Sequence, residues 1–411
     1  MWGVQMSEIP TIDNFYFYGK TVLVRPDFNV PIDPDSKKIT DDSRIRDHAE
    51  TIRELCDKGA KVVIIAHQGR PGDPDYVESL KEHAEALSAI LGRPVKYVHD
   101  LFGDEAKNSI RSLKPGDVLL LKNVRSFPDE AKDKPPEEHS KSKLVQELAP
   151  LIDVFVLDGF SVAHRSHCSV VGFAPVKPVC AGRVMERELK ALSKVFEKPE
   201  KPMICVLGGA KAEKTVTIVE YMLENNIADS ILTGGLVAQL FLAAKGVNLG
   251  AVNVEILKRK KLYELIPQAE KLIKQYGDKI KLPVDLALDV DGRRVEVKVS
   301  ELPSEKPISD IGVKTADAYA RLLRGAKSIL VSGPLGVYEK DAFIEGSRRV
   351  FEAVALSKAY KVAGGGDTAA VLKKLNLYDK FDYVSLAGGA FIEYITGAKL
   401  PGVEILKRKG Y

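Results

Sequence analysis

From Thr21 onward, short β-branched runs alternate with stretches of helical spacing, and this alternation admits few folds besides parallel sheets covered by helices on both faces. In the first half the runs are Thr21–Val24, Lys61–Ala66, Asp117–Leu121 and Asp153–Leu157. In the second half they are Met203–Leu207, Ser230–Thr233, Ser328–Val331, Lys361–Ala363 and Tyr383–Leu386. A chain of 411 residues exceeds one ordinary domain, so two α/β domains of roughly 150 to 200 residues are expected. Between the halves, Ala181 to Lys198 carries Met185, Leu189, Leu192 and Phe196 as one apolar stripe, closed by Pro199 and Pro202. That spacing predicts a single long helix.

Ligands of parallel sheets collect where the strands end, and the two halves end their strands differently. The first four runs lead to Arg25-Pro-Asp27-Phe-Asn29, His67-Gln68-Gly69-Arg70, Lys122-Asn-Val-Arg125 and Asp158 through His164-Arg165-Ser-His167, with Arg44 in a loop ahead of an amphipathic helix. A single arginine here is an ordinary surface residue. Four at one sheet edge would repel one another unless a polyanion were expected. The first half therefore reads as a pocket for a small, highly charged organic phosphate or carboxylate, with Asp27 and Asn29 addressing its hydroxyls.

The later runs end in glycine: Gly208-Gly209-Ala-Lys211, Gly234-Gly, Ser332-Gly-Pro-Leu-Gly336-Val-Tyr-Glu339, Gly364-Gly365-Gly366-Asp367-Thr368 and Ala387-Gly388-Gly. Glycine pairs at successive strand ends predict backbone lying against a flat or anionic ligand such as a nucleotide. In Lys361 to Ala370 the three glycines are followed by a helical pattern. There the free N–H groups and about half a positive charge would face a phosphate, with Asp367 beside a magnesium ion. The plainer reading of that stretch is a tight turn with an N-capping Asp or Thr.

Several classes are excluded. With 61 basic and 57 acidic residues the net charge of +4 is too balanced for a nucleic-acid partner. Cys56, Cys168, Cys180 and Cys205 have no C-x-x-C spacing and predict buried reduced thiols, in keeping with a cytoplasmic protein. Met1 to Pro10 has no signal-type apolar run, and the most apolar window, Leu232 to Ala244, falls well short of the roughly 20 residues of a membrane span. His164 and His167 lack a nearby third metal ligand. No Walker A motif occurs. Gly364 to Ala369 fits the relaxed G-x-G-x-x-A dinucleotide fingerprint, but the next strand ends in Ala387 where a ribose-binding acid is needed, so hydride transfer is set aside. Asp289 to Val299 reads as a hairpin turning at Asp291-Gly292, with no chemistry assigned.

Taken in order, Arg-Pro-Asp-Phe-Asn-Val-Pro (25–31), His-Gln-Gly-Arg-Pro (67–71), Asn-Val-Arg (123–125), His-Arg-Ser-His (164–167), Leu-Gly-Gly-Ala-Lys (207–211), Gly-Pro-Leu-Gly-Val-Tyr-Glu (333–339) and Gly-Gly-Gly-Asp-Thr (364–368) resemble the motifs of phosphoglycerate kinases. The resemblance runs from Gly19 to Val403, and the short loops are similar to those of the archaeal branch. It implies an α/β fold with two Rossmann-like parallel-sheet domains joined by a long helix with a cleft between them. The divisions would be an N-terminal phosphoglycerate-binding domain (1–180), an interdomain helix (181–198), a C-terminal nucleotide-binding domain (199–390) and a tail returning to the first domain (391–411).

The same resemblance implies interconversion of ADP and 1,3-bisphosphoglycerate with ATP and 3-phosphoglycerate, Mg2+ as cofactor with the nucleotide, and a monomer or homodimer. The substrate contacts it implies are Asp27, Asn29, Arg44, His67, Gln68, Gly69, Arg70, Arg125 and Arg165. The nucleotide contacts are Gly209, Lys211, Gly234, Glu339, Gly365, Gly366, Asp367 and Thr368, with Asp367 as the metal ligand. The catalytic set is Arg44, Lys211, Gly365 and Gly388. The chain departs from the pattern at Pro26, Ser332 and Ala387, and at Thr215, where many members carry a second lysine; Lys214 stands one residue earlier. The reacting group is a carboxylate in both directions, so no general base is needed and catalysis reduces to aligning two anions and neutralising charge. The alternative is a non-catalytic two-domain binder of anions and nucleotides.

Overall fold

The structure, a computed structural model, describes residues 9–209 and 212–408, with 212 and 213 known by their backbone alone. The chain divides into two compact units, residues 9–190 with 399–408 and residues 191–398 among those described.

The first unit is built on six parallel strands, β1 (Thr21–Arg25), β2 (Lys61–Ile64), β3 (Val95–Tyr97), β4 (Val118–Leu120), β5 (Val154–Leu157) and β6 (Val179–Ala181), in the order β3-β4-β2-β1-β5-β6. All five residues of β1 and all four of β5 are buried, because helices cover both faces. On one face Val22, Val24, Val62 and Ile64 meet Ile45, Ile52 and Leu55 of the helix Ser43–Asp57 and Leu87 of the helix Lys81–Leu91. Each such aliphatic side chain contributes about 1.5–3 kcal/mol on leaving water. On the other face Phe155 packs against Phe173, ring centres 5.4 Å apart. The edge strands β3 and β6, absent from the sequence reading, have three residues each and one neighbour each, too short to leave a pattern.

The second unit contains β7 (Met203–Leu207), β8 (Ser230–Thr233), β9 (Ile280–Lys281), β10 (Asp285–Val290), β11 (Arg293–Lys298), β12 (Ile308–Ile311), β13 (Ser328–Ser332), β14 (Tyr360–Gly364) and β15 (Tyr383–Ser385). Six form a parallel sheet in the order β15-β14-β13-β7-β8-β9, and the antiparallel β11-β10-β12 forms a separate small sheet. The expected hairpin is β10–β11: Asp291 and Gly292 both have positive φ, 53° and 83°, as a two-residue turn of this kind requires.

The helix Arg183–Phe196 buries Met185, Leu189, Leu192 and Phe196, the stripe read from the sequence, and the change of unit falls within it. Residues 399–408 belong with the first unit: Gly402 donates its N–H to Ala163 C=O at 2.8 Å, and a Cβ there would stand 2.8 Å from Ala163 Cα.

Strand order locates the crevices. In the first sheet the chain leaves β1 toward β2 on one side and reaches β5 on the other; in the second it leaves β7 toward β8 and β13 toward β14. Ligands of such sheets sit at these reversals, beyond the carboxyl ends of the strands. Those ends are Arg25–Asn29 with Asp158–Ser161, and Gly208–Gly209 with Ser332–Leu335.

Candidate active site

At the first reversal Asp27 is the hub. Its Oδ2 accepts from Arg44 Nη1 at 2.6 Å and from the Ser161 hydroxyl, and its Oδ1 accepts the Asn29 N–H at 3.0 Å. Arg44 lies in the first turn of the helix Ser43–Asp57 rather than in the loop before it, because Asp41 Oδ1 takes the Ser43 N–H at 2.8 Å and starts the helix there. The Asp27 N–H donates to His48 Nε2 at 3.1 Å, so the His48 proton is on Nδ1, facing Asp158 Oδ2 at 2.7 Å.

Arg25, whose side chain faces inward, is buried. Its Nε donates to Ser169 Oγ at 2.8 Å, its Nη1 to Pro26 C=O at 2.6 Å and its Nη2 to His67 Nδ1 at 3.2 Å. A guanidinium only donates, so His67 Nδ1 accepts and its proton sits on Nε2. Burial, and then the Arg25 charge, push His67 well below its ordinary value. The 3.9 Å approach of its Nδ1 to Asp27 Oδ1 is therefore no ion pair. Burial would raise the Asp27 carboxyl, but the Arg44 charge, the Ser161 hydroxyl and the Asn29 N–H outweigh it and hold the group below the usual carboxylate range. With His67 neutral, the Arg44 charge and the hydrogen bonds carry that effect.

Asn29 Oδ1 accepts the Gly69 N–H at 2.7 Å, and Arg125 Nη1 donates to Gly69 C=O. Gly69 has φ +62° and a Cβ would meet Tyr76 backbone at 2.5 Å, so only glycine fits. Gln68 is turned into the protein: its fully buried amide takes Val30 N–H and gives to Val30 and Asp75 C=O, at 2.9, 3.0 and 3.0 Å. Its side chain braces the loop.

Arg70, Arg125 and Arg165 line a single cavity of about 620 Å³, together with His164, Ser166, His167 and the apolar Phe127 and Pro71. Burial, then the charges of Arg165, Arg25 and Arg70, bring the Arg125 guanidinium down to about 10. Like charges crowded to that degree are the mark of a site awaiting an anion. Behind it lies a network the sequence reading missed, in which Arg25 reaches Ser169, whose hydroxyl and N–H donate to buried Glu130 at 2.6 and 2.8 Å.

In the second unit the glycines divide into two kinds. Gly208 and Gly209 donate to Ser332 and Pro334 C=O at 2.9 and 2.7 Å, and a Cβ on Gly208 would stand 2.2 Å from Pro334 O. Buried Gly234 would drive a Cβ to 2.4 Å from Leu335. Gly208 and Gly234 thus let strand-end loops pack on each other, whereas a Cβ on Gly209 would meet nothing nearer than 3.4 Å and that residue lines the cavity described below. Gly366 and Gly388 are the opposite case, exposed and with no atom within 4 Å of an added Cβ. The helix Gly366–Lys374 makes its first bond from Ala369 N–H to Gly365 C=O at 3.0 Å, leaving the N–H groups of Gly366, Asp367 and Thr368 ahead of the helical ladder. The Thr368 hydroxyl is spent inside the protein, donating to Gly364 C=O and accepting Gly333 N–H, each at 2.8 Å.

Beside this helix a cavity of about 350 Å³ is lined by Gly209, Glu339 and Asp367 and by an apolar wall of Leu236, Ile256, Leu286 and Ile308. The wall was not foreseen, since Leu286 and Ile308 come from the small sheet, far in sequence from the glycine motifs. A flat apolar slot opening onto free N–H groups and two carboxylates suits a nucleotide with its base inside and its phosphates at the helix end. Exposed Asp367, touched by the Tyr338 hydroxyl at 3.3 Å, fits a magnesium ion bound through one carboxylate and phosphate oxygens. Among the described residues no group of three or more His, Cys, Asp or Glu side chains is placed to hold a metal unaided.

The family model for phosphoglycerate kinase matches residues 12–398. The chain belongs to the phosphoglycerate kinase family. It is similar to the phosphoglycerate kinase of Methanothermobacter thermautotrophicus, 45% identical over 397 residues covering 97% of this chain and 96% of that one. The phosphoglycerate kinase of Sulfurisphaera tokodaii is 44% identical over 403 residues, covering 97% and 95%. The crystal structure of phosphoglycerate kinase from Pyrococcus horikoshii matches with a TM-score of 0.85 at 40% identity, over 97% of this chain and 98% of that one. As a phosphoglycerate kinase the protein is a phosphotransferase whose acceptor is a carboxyl group. Lys211, expected in the phosphoglycerate kinase site, lies outside the described residues. Thr215, at the position of the second family lysine, is buried at 7% exposure, while Lys214 beside it is exposed. No described helix is long and apolar enough to cross a membrane.

Proposed function

We propose that the protein transfers a phosphoryl group reversibly between 1,3-bisphosphoglycerate and ADP, giving 3-phosphoglycerate and ATP, as a cytoplasmic step of glycolysis and gluconeogenesis. The observation that carries this reading is the cavity crowded by Arg70, Arg125 and Arg165, in a chain whose other unit holds an apolar slot beside an open helix N-terminus. A phosphate and a carboxylate on one small molecule suit the first; a nucleoside diphosphate suits the second.

Arg70, Arg125 and Arg165 bind the non-transferred phosphate, and Asn29 and Asp27 orient the hydroxyl and carboxyl end. Arg44, held by Asp27, presents its guanidinium to the transferring group, and Lys211 contributes a second positive charge to it. The helix N-termini at Gly365 to Thr368 and at Gly388 complete the positive surroundings. Bound Mg2+ supplies charge neutralisation on the nucleotide phosphates, with Asp367 as its protein ligand. No residue has to move a proton, since a carboxylate leaves or attacks. The two ligands are read by different units, so transfer requires closure of the units on both ligands.

A coupled assay tests the reading. ATP should form from ADP, Mg2+ and 1,3-bisphosphoglycerate; its absence, with both ligands still bound, would leave the protein a binder of anions and nucleotides. Solution scattering should record compaction only with both ligands present, and none under any condition would remove closure from the mechanism.

A further inference from the structure

The strand β11 has no part in the chemistry above, yet it brings a guanidinium to a carboxylate that lines the nucleotide cavity. Arg294 of β11 donates through Nη1 to Asp310 Oδ2 at 2.6 Å and to Ala342 C=O at 3.3 Å. Its Nη2 donates to Ile311 C=O at 2.7 Å and Glu296 Oε1 at 3.0 Å. Asp310, on β12, is buried and lines the cavity.

The same carboxylate binds one end of the segment Gly336–Gly346 and packs against the other. Its Oδ2 accepts the Gly346 N–H at 2.8 Å, in the first turn of the helix Glu345–Leu356, whose N-cap residue Ile344 offers no side-chain cap. Asp310 therefore supplies from another strand the acceptor and negative charge that this helix end lacks. At the other end Gly336 lies so close that a Cβ there would stand 2.4 Å from Asp310 Oδ1, and one on Gly346 would stand 2.3 Å away. Between these ends run Val337, Tyr338 and Glu339, all lining the cavity; the Val337 N–H donates to Ser309 C=O at 2.8 Å.

We propose that Arg294 and Asp310 are positioning residues for nucleotide binding, fixing the segment Gly336–Gly346 so that its Val337–Glu339 portion forms one wall of the nucleotide cavity. This rests on reading that cavity as the nucleotide site. The pair is needed as a pair. Burial already pushes the Asp310 carboxyl up to about 6 against the Gly346 N–H and the Arg294 contacts. Without the guanidinium its proton-bearing form gains, and a protonated carboxyl is a poorer acceptor for the Gly346 N–H that anchors the segment.

The experiment compares the full chain with Arg294→Gln, Asp310→Asn and Arg294→Lys, measuring MgADP affinity by calorimetry, KM for ADP and for 1,3-bisphosphoglycerate, and thermal unfolding. Arg294→Gln and Asp310→Asn should weaken MgADP binding and raise the KM for ADP about tenfold or more, with the KM for 1,3-bisphosphoglycerate within about twofold of wild type. Arg294→Lys, which keeps the charge but not the fork, should recover part of the loss. Variants that bind MgADP as wild type does, or that raise both KM values equally, overturn the inference. A wild-type protein that binds no MgADP overturns the nucleotide reading and this inference with it. Should Asp310→Asn fail to fold, Arg294→Gln, altered on a strand with exposed residues, decides the matter by the same measurements.

Discussion

Arg44 and Asp27 form one unit: the guanidinium of a helix first turn donates at 2.6 Å to a carboxylate whose side chain is 5% exposed, while the arginine itself remains 36% exposed. Asp27 thus fixes where the positive charge of Arg44 points. Asp27→Asn removes the charge that anchors it and should lower kcat/KM for 3-phosphoglycerate by about 10²-fold, while Arg44→Ala should lower kcat about 10³-fold, the scale of other catalytic arginines. The double variant should be little worse than Arg44→Ala, because the two act together. Steady-state kinetics decide; a loss under about tenfold for Arg44→Ala removes it from the mechanism.

His167 lines the arginine cavity, and burial followed by the Arg165, Arg25 and Arg125 charges brings it down to about 3. Its folded value lies below its ordinary 6.5, so between 6.5 and 3 the unfolded chain takes up a proton that the folded protein refuses. The stability linked to neutral His167 is complete above 6.5 and is lost as pH falls toward 3. His167→Gln should flatten the fall in unfolding free energy across that window, measured by denaturant titration at successive pH values. An unchanged slope would mean that His167 titrates normally.

Much of the scaffold is legible because strands buried on both faces leave unbroken β-branched runs; β1, β5 and β7 are all of this type. The direction of a side chain at a strand end leaves no such trace. Arg25 and Arg70 both follow apolar runs, yet Arg25 closes β1 with its guanidinium buried on Ser169 while Arg70 opens onto the cavity. Gln68 stands in the same motif as His67 and Gly69 and is consumed by Val30 and Asp75, a pairing that depends on how two loops meet. The glycine runs look alike in sequence although one kind packs loop on loop and the other faces open space. Leu286 and Ile308 join the nucleotide wall only because the small sheet folds beside it.

That division of the glycines is testable. Gly208→Ala would place a Cβ 2.2 Å from Pro334 O, so it should lower the thermal midpoint by several degrees, the result of a backbone clash costing about 1–3 kcal/mol. Gly366→Ala meets no atom within 4 Å and lies at a helix start, so stability should be kept or slightly raised. Its methyl would nevertheless occupy space assigned to phosphate, and the KM for ADP should rise about tenfold. An unchanged KM in Gly366→Ala would mean that this backbone does not floor the nucleotide.

Thr368 joins the two sides of the second reversal through one hydroxyl. Oγ1 donates to Gly364 C=O at the end of β14 and accepts the Gly333 N–H just after β13, both at 2.8 Å, the first bond buried and the second partly so. Valine has nearly the same shape but can make neither bond, leaving a donor and an acceptor without their partner at about 1–3 kcal/mol each. Thr368→Val should therefore lower the unfolding free energy by about 2 kcal/mol or more and, because Pro334 next to Gly333 lines the nucleotide cavity, raise the KM for ADP as well. Thr368→Ser keeps the hydroxyl and loses only a methyl group, worth about 1 kcal/mol, so it should retain both bonds and the wild-type KM. A serine variant as impaired as the valine variant would show that packing of the methyl, rather than the hydroxyl bridge, sets the distance between the two strand ends.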